Sequence, residues 1–156
     1  MKPPILTLRI SRRAIGAAVL TGERLVLMDG RHLTSQRERA FVTAARYVDR
    51  LLQLSKAHSV VLDAPQPDAA TSDRLVAVIE SVLRDRQITS LIVGRSDLLR
   101  AYGVRALRNR AALREIAHTF WPELGRHAGK VRPYIADAAV AALYAESRLV
   151  LNPIPT

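Results

Sequence analysis

The chain has 156 residues, with 24 lysines and arginines against 14 aspartates and glutamates for a formal net charge of +10, and it has no cysteine. That length suits one domain, expected to span 1–156 and to bury about two-thirds of its unfolded surface; the lack of cysteine excludes disulfides and thiolate metal sites and fits a reducing cytoplasm. The charge selects polyanions as partners, nucleic acid first and an anionic membrane second. No run approaches the roughly 18 apolar residues of a membrane span, and Met1-Lys2-Pro3-Pro4 leads into a strand rather than a signal peptide, so the protein is expected in solution in the cytoplasm, with no membrane partner.

Pro4-Ile5-Leu6-Thr7-Leu8-Arg9-Ile10-Ser11 alternates as a strand does, with Leu6, Leu8 and Ile10 on one face and Ile5, Thr7 and Arg9 on the other. Apolar strands follow it, which points to a central position, where an unpaired guanidinium costs several kcal/mol. Arg9 therefore needs an acidic neighbour, unless it lies at a frayed strand end facing water. Ala14 to Leu20 reads as a second strand after the Ser11-Arg12-Arg13 turn, and Arg24 to Met28 as a third after Thr21-Gly22-Glu23. Residues 4 to 29 thus form an antiparallel meander.

Ser35-Gln36-Arg37-Glu38 has the spacing of a capping box and predicts a helix ending near Lys56, with Phe41, Ala44, Ala45, Val48, Leu51 and Leu52 on its apolar face. Ser59-Val60-Val61-Leu62-Asp63 reads as a short strand, closed by Ala64-Pro65-Gln66-Pro67, so Asp63 lies at its carboxyl end. Ser72 or Asp73 is expected to cap the next helix, whose stripe is Leu75, Val78, Ile79, Val82 and Leu83. Asp68 and Asp73 are close enough to supply a further acid, although capping alone explains Asp73. Ser90 to Val93 is a fifth strand; strand, helix, strand, helix, strand from residue 24 onward is the order of parallel pairing with crossovers. Ser96 or Asp97 is expected to cap a short helix ended by Gly103. A longer helix reads over 107–121, stopped by Pro122, and an alanine-rich last helix runs from Ile135 to Ser147, with Asp137 near its start. The fold class is α/β: a mixed five-stranded sheet, antiparallel meander plus two parallel strands, flanked by helices.

This element order, with three local strings, resembles the RuvC-type Holliday junction resolvases of the RNase H-like superfamily over roughly residues 4 to 147. Leu6-Thr7-Leu8-Arg9-Ile10-Ser11 resembles the family's opening strand, but its metal-binding aspartate corresponds to Arg9. Val60-Val61-Leu62-Asp63 resembles the fourth strand, where the family usually has glutamate. Asp137-Ala138-Ala139-Val140 resembles the terminal Asp-Ala-Ala-Asp motif, with its second acid replaced by Val140. Of four carboxylates that the resemblance implies, Asp63 and Asp137 remain as vestigial catalytic candidates. Two-metal phosphodiester cleavage needs a dense carboxylate cluster to hold two cations about 4 Å apart. An arginine in its centre cannot lose its charge and would instead donate hydrogen bonds to Asp63 and Asp137. The expectation is a structural ion pair of Arg9, Asp63 and Asp137 with no metal and no cofactor, Mg2+ entering only if a nuclease with a rearranged site survives. His118 and His127 bracket Trp121 and Glu123 without metal-ligand spacing, and no phosphate-cradling glycine loop or nucleophilic triad is evident.

From Arg95 to Arg132 the chain has nine lysines or arginines against Asp97, Glu115 and Glu123, which is +6 of the whole +10. Arg110, Arg114 and His118 follow at spacings of four, with Trp121 on the same side and the stripe of Leu113, Ile116, Ala117 and Phe120 facing the core. A cationic ridge ending in an indole suits phosphates and a stacked base; the plainer reading is a solvated arginine face with Trp121 at the edge of the core. The nucleic-acid-binding candidates are Arg12, Arg13, Arg105, Arg108, Arg110, Arg114, Trp121, Lys130 and Arg132. The expected function is binding of structured or branched DNA or RNA without cleavage. The alternatives are an active resolvase-like endonuclease and a scaffold subunit of a protein assembly. The resemblance also implies a homodimer, although the apolar faces of the middle helices are equally explained by packing on the sheet.

Overall fold

The computed structural model describes residues 3–64, 70–101, 111–126 and 129–151. Five strands, β1 (Ile5–Ile10), β2 (Ala14–Thr21), β3 (Arg24–His32), β4 (Ser59–Asp63) and β5 (Thr89–Val93), form one sheet in the order β3-β2-β1-β4-β5. β1 pairs antiparallel with β2, and β2 with β3; β4 pairs parallel with β1, and β5 with β4. The two parallel steps are made possible by α1 (Arg37–Ser55) and α2 (Ala70–Asp85), each long enough to carry the chain back across the sheet. α3 (Arg95–Ala101), α4 (Ala111–Phe120) and α5 (Arg132–Leu151) complete the described helices, with a 3₁₀ turn at Pro122–Arg126. Among the described residues no helix is long and apolar enough to cross a membrane.

The alternation of β1 divides the core into two layers. Leu6, Leu8 and Ile10 pack with Ala44, Val48 and Leu51 of α1 and Leu75 and Ile79 of α2. Ile5 on the opposite face packs with Ala18, Leu20 and Val61 against α4 and the alanines of α5. Burial on both faces explains why β1 and β2 read as near-continuous apolar runs.

β3 continues four residues past Met28, because Gly30 pairs with Gly16 rather than turning. These glycines are a close approach. A Cβ on Gly16 would stand 2.0 Å from the Tyr134 carbonyl oxygen, and one on Gly30 would stand 2.8 Å from Val131 Cβ. The first turn of α5 therefore rests on bare strand backbone.

Several helix ends differ from the sequence reading. Ser35 and Glu38 form no capping box: the N-cap of α1 is Gln36 without a side-chain cap bond, and Thr34 Oγ1 instead accepts the Gln36 amide at 2.9 Å. Lys56 closes α1 in the left-handed conformation, φ 54°. α2 is already under way at Ala70, which puts Ser72 and Asp73 inside its first turn rather than before it. Asp97 lies inside the first turn of α3 and reaches back to accept the Gly94 amide at 2.9 Å. α5 begins at Arg132, with Pro133 in its first turn, where a missing N–H costs nothing. Asp68, Gly103, His127 and residues 107–110 lie outside the described residues.

Candidate functional site

One register row of the sheet builds the site. Gly30 pairs with Gly16, Gly16 with Arg9, Arg9 with Asp63, and Asp63 with Val93. The two glycines admit α5 to the sheet surface, and one turn beyond that contact Asp137 reaches the Arg9 end of the row. Arg9 Nε lies 3.3 Å from Asp137 Oδ2 and 3.9 Å from Asp63 Oδ2. Its Nη1 donates to the Ile10 carbonyl. Asp63 is 0% and Asp137 1% exposed, and Arg9 only 9%, so all three charges sit where water screens them little.

A second guanidinium completes the cluster. Arg114 on α4 donates from Nε to Asp137 Oδ1 at 2.9 Å and from Nη2 to Oδ2 at 3.0 Å, a two-pronged grip on one carboxylate. Asp137 thus accepts from two arginines on two different elements. Sequence spacing had put Arg114 on a phosphate-binding ridge. Its place beside the apolar stripe, next to Leu113 and three residues before Ala117, is the signal that it could turn toward a neighbouring helix.

The expected ridge on α4 is altered further. Trp121 is 4% exposed and its Nε1 donates to the Glu23 carbonyl at 3.3 Å, so it is a core residue without a free ring face for a base. Phe120, expected in the core, is 48% exposed and packs on the indole at 5.0 Å between centroids, with the two rings tilted by 57°. The buried face of α4 is rotated toward the arginines: Leu113, Ala117 and Trp121 point in, while Ile116 is half-buried. The larger indole takes the interior because it also finds an acceptor for its N–H. Arg12, Arg13, Lys130 and Arg132 are exposed. Arg105, Arg108 and Arg110 lie outside the described residues.

No protein-family model and no curated protein sequence matches the chain. Solved structures do. Thermus thermophilus RuvC aligns with a TM-score of 0.73 at 13% identity, covering 94% of this chain and 96% of that one. The same organism's RuvC in complex with a Holliday junction substrate aligns with a TM-score of 0.74 at 13% identity over 99% of both chains. This chain has the RuvC-type fold. The yeast mitochondrial Holliday junction resolvase aligns as well, with a TM-score of 0.66 at 8% identity over 94% of this chain and 82% of that one. The likeness runs through the whole RuvC-type arrangement of meander, parallel strands and terminal helix.

These matches correct the expectation of no cofactor. RuvC-like resolvases normally use divalent metal ions, so a divalent cation is the group that the RuvC-type fold implies. The side chains at the corresponding place in this chain do not fit it. Among the described residues no group of three or more His, Cys, Asp or Glu is disposed to hold a metal ion. The two acids that converge there are already engaged by Arg9 and Arg114. A guanidinium about 4 Å from a divalent ion would repel it by roughly 8 kcal/mol at an effective dielectric constant of 20. Among the described residues, the cluster is an ionic link joining β1, β4, α4 and α5.

Proposed function

We propose that this RuvC-like domain binds structured or branched nucleic acid, DNA or RNA, and does not cleave it at the Arg9–Asp63–Asp137 cluster. The observation that carries the reading is the pair of guanidiniums on Asp137, which occupy the ground that phosphodiester cleavage would need. Support for nucleic acid comes from the +10 charge and from the fold match to RuvC in complex with a Holliday junction substrate. The exposed Arg12, Arg13, Lys130 and Arg132, together with Arg105, Arg108 and Arg110, are the proposed phosphate contacts. Arg114 is assigned to the ion cluster and Trp121 to the core.

The test is a labelled four-way junction, its duplex arm and a single strand, each titrated with the wild-type chain and then incubated with millimolar Mg2+ or Mn2+. Binding of the junction in preference to the duplex, with all strands intact, is the expected result. Metal-dependent cutting by the wild-type chain would overturn the inactive reading and favour an endonuclease with a rearranged site. Failure to bind any probe would favour a scaffold role.

A further inference from the structure

β3 and α1 run antiparallel along the outer edge of the sheet, and the seam between them is cationic. Leu33 and Ala40 share a groove of about 450 Å³ whose rim is Arg12, Arg13 and Arg37, with the hydroxyls of Thr34 and Ser35 beside them. Arg31 and Thr43 share the next, about 210 Å³, together with Arg46 and Arg50. Neither groove is lined by an acidic residue. At the far end the Tyr47 phenol donates to Asp29 at 2.8 Å, which occupies that carboxylate.

All six arginines are exposed, and none makes a salt bridge or a side-chain hydrogen bond with a described residue. The contrast lies one helix face away, where Arg86 is held by Asp49 at 2.6 Å. Asp29 stands beside Tyr47 at the end of the second groove, and Arg46 also borders a groove with Asp49 and Asp85, but the six arginines outnumber these acids, and an excess of like charge on a concave surface raises the local potential and concentrates anions. From Arg37 to Arg50, α1 rises about 20 Å at 1.5 Å per residue. A nucleic-acid strand carries one phosphate per 3.4 Å of axis, so that length faces about six phosphates.

We infer that the β3–α1 seam is a backbone track for a nucleic-acid strand, beginning at the first hairpin beside the Arg9 cluster and leading away from it along α1. This rests on the nucleic-acid-binding reading and adds four arginines, Arg31, Arg37, Arg46 and Arg50, that the basic segment at 95–132 does not contain. Contacts of this kind are to phosphates, so the track carries register and affinity rather than base sequence.

The experiment follows binding of the fluorescent four-way junction and of its duplex arm by anisotropy across a salt series, using the full chain. One variant carries Arg12→Gln, Arg13→Gln and Arg37→Gln, a second Arg31→Gln, Arg46→Gln and Arg50→Gln. A control removes the same charge elsewhere through Arg24→Gln, Arg74→Gln and Arg84→Gln. Each seam variant should flatten the slope of log K against log salt by about 2 to 3, near 0.9 per lost phosphate contact, while the control keeps the wild-type slope. As a check that needs no variant, phenylglyoxal modification of Arg31, Arg46 and Arg50 in the wild-type chain, read by mass spectrometry, should be suppressed by the junction. Seam variants that behave like the control, with no protection of these arginines, would overturn the track while leaving nucleic-acid binding intact. A wild-type chain that binds neither probe would overturn both.

Discussion

Asp137 is held by two arginines of unequal burial, and their removal should have unequal effects. Arg9 is nearly enclosed and lies within 3.9 Å of both buried acids; Arg9→Ala removes the cation they share and is expected to cost about 3–5 kcal/mol in urea unfolding. The Arg114 side chain is 34% exposed and leaves Arg9 in place, so Arg114→Ala should cost about 1.5–3 kcal/mol. Because the two share one carboxylate, their effects should not add in the double variant. Thr7, two residues from Arg9 on the same face, is 0% exposed, and its Oγ1 has no hydrogen-bond partner among the described residues. Thr7→Val should therefore stabilise the chain by about 1 kcal/mol in the same measurement, since it removes a desolvated hydroxyl without opening a cavity. At this scale the sequence exposes Arg9, a charge in the middle of an apolar strand that demands a partner. It conceals Arg114, because four-residue spacing on a helix describes which side chains are neighbours and not which element they face.

At the scale of elements, α5 is positioned by what β2 and β3 lack. Gly16→Ala would drive a methyl group into the Tyr134 backbone, which cannot swing aside. A loss of about 3 kcal/mol is expected, with weakened junction binding as Lys130 and Arg132 shift with the helix start. Gly30→Ala meets the side chains of Val131 and Ile135 rather than backbone and should cost less. α1 is tied to β3 by Tyr47, whose phenol is pushed above the ordinary tyrosine range, first by burial and then by its bond to Asp29. The neutral phenol is thus the form the fold favours: its contribution is complete below pH 10.0, the ordinary value, and declines as alkali rises beyond it. Phenolate absorbance should show Tyr47 ionising later than an ordinary tyrosine, and Tyr47→Phe should abolish that late step. Helix bodies are legible in the sequence because their apolar stripes must meet the sheet. Their ends are not: Ser35 and Glu38 have the right spacing for a capping box, yet Thr34 takes the Gln36 amide instead. Phe120 and Trp121 exchange interior and surface by a rotation that only the Glu23 carbonyl explains.

For the whole molecule, sheet order follows from element order, since two tight turns enforce the meander and two helical crossovers enforce parallel pairing. The distribution of charge is less legible. Counting along the chain draws attention to residues 95–132, whereas the β3–α1 seam gathers its arginines from three separate stretches, the first hairpin turn, β3 and α1, that only the fold brings together. If six or more of these cations meet phosphates, raising salt from 50 to 200 mM should weaken junction binding by about 10³-fold or more. A near-flat salt response would argue that the +10 charge serves another partner.

The bond from Arg9 to Asp137 also spans 128 positions of the chain. Contacts so distant are slow to find, because a large loop must close before anything is gained. During synthesis the first three strands emerge long before their covering helix, and until it arrives the Ala18 and Leu20 side of the hairpin is bare and open to chaperones, proteases and other nascent chains. Refolding from denaturant should accordingly pass through a species with the meander formed and its last helix undocked, detectable as early protection of the β2 amides, which pair with β1 and β3, and late protection of the α5 amides against hydrogen exchange.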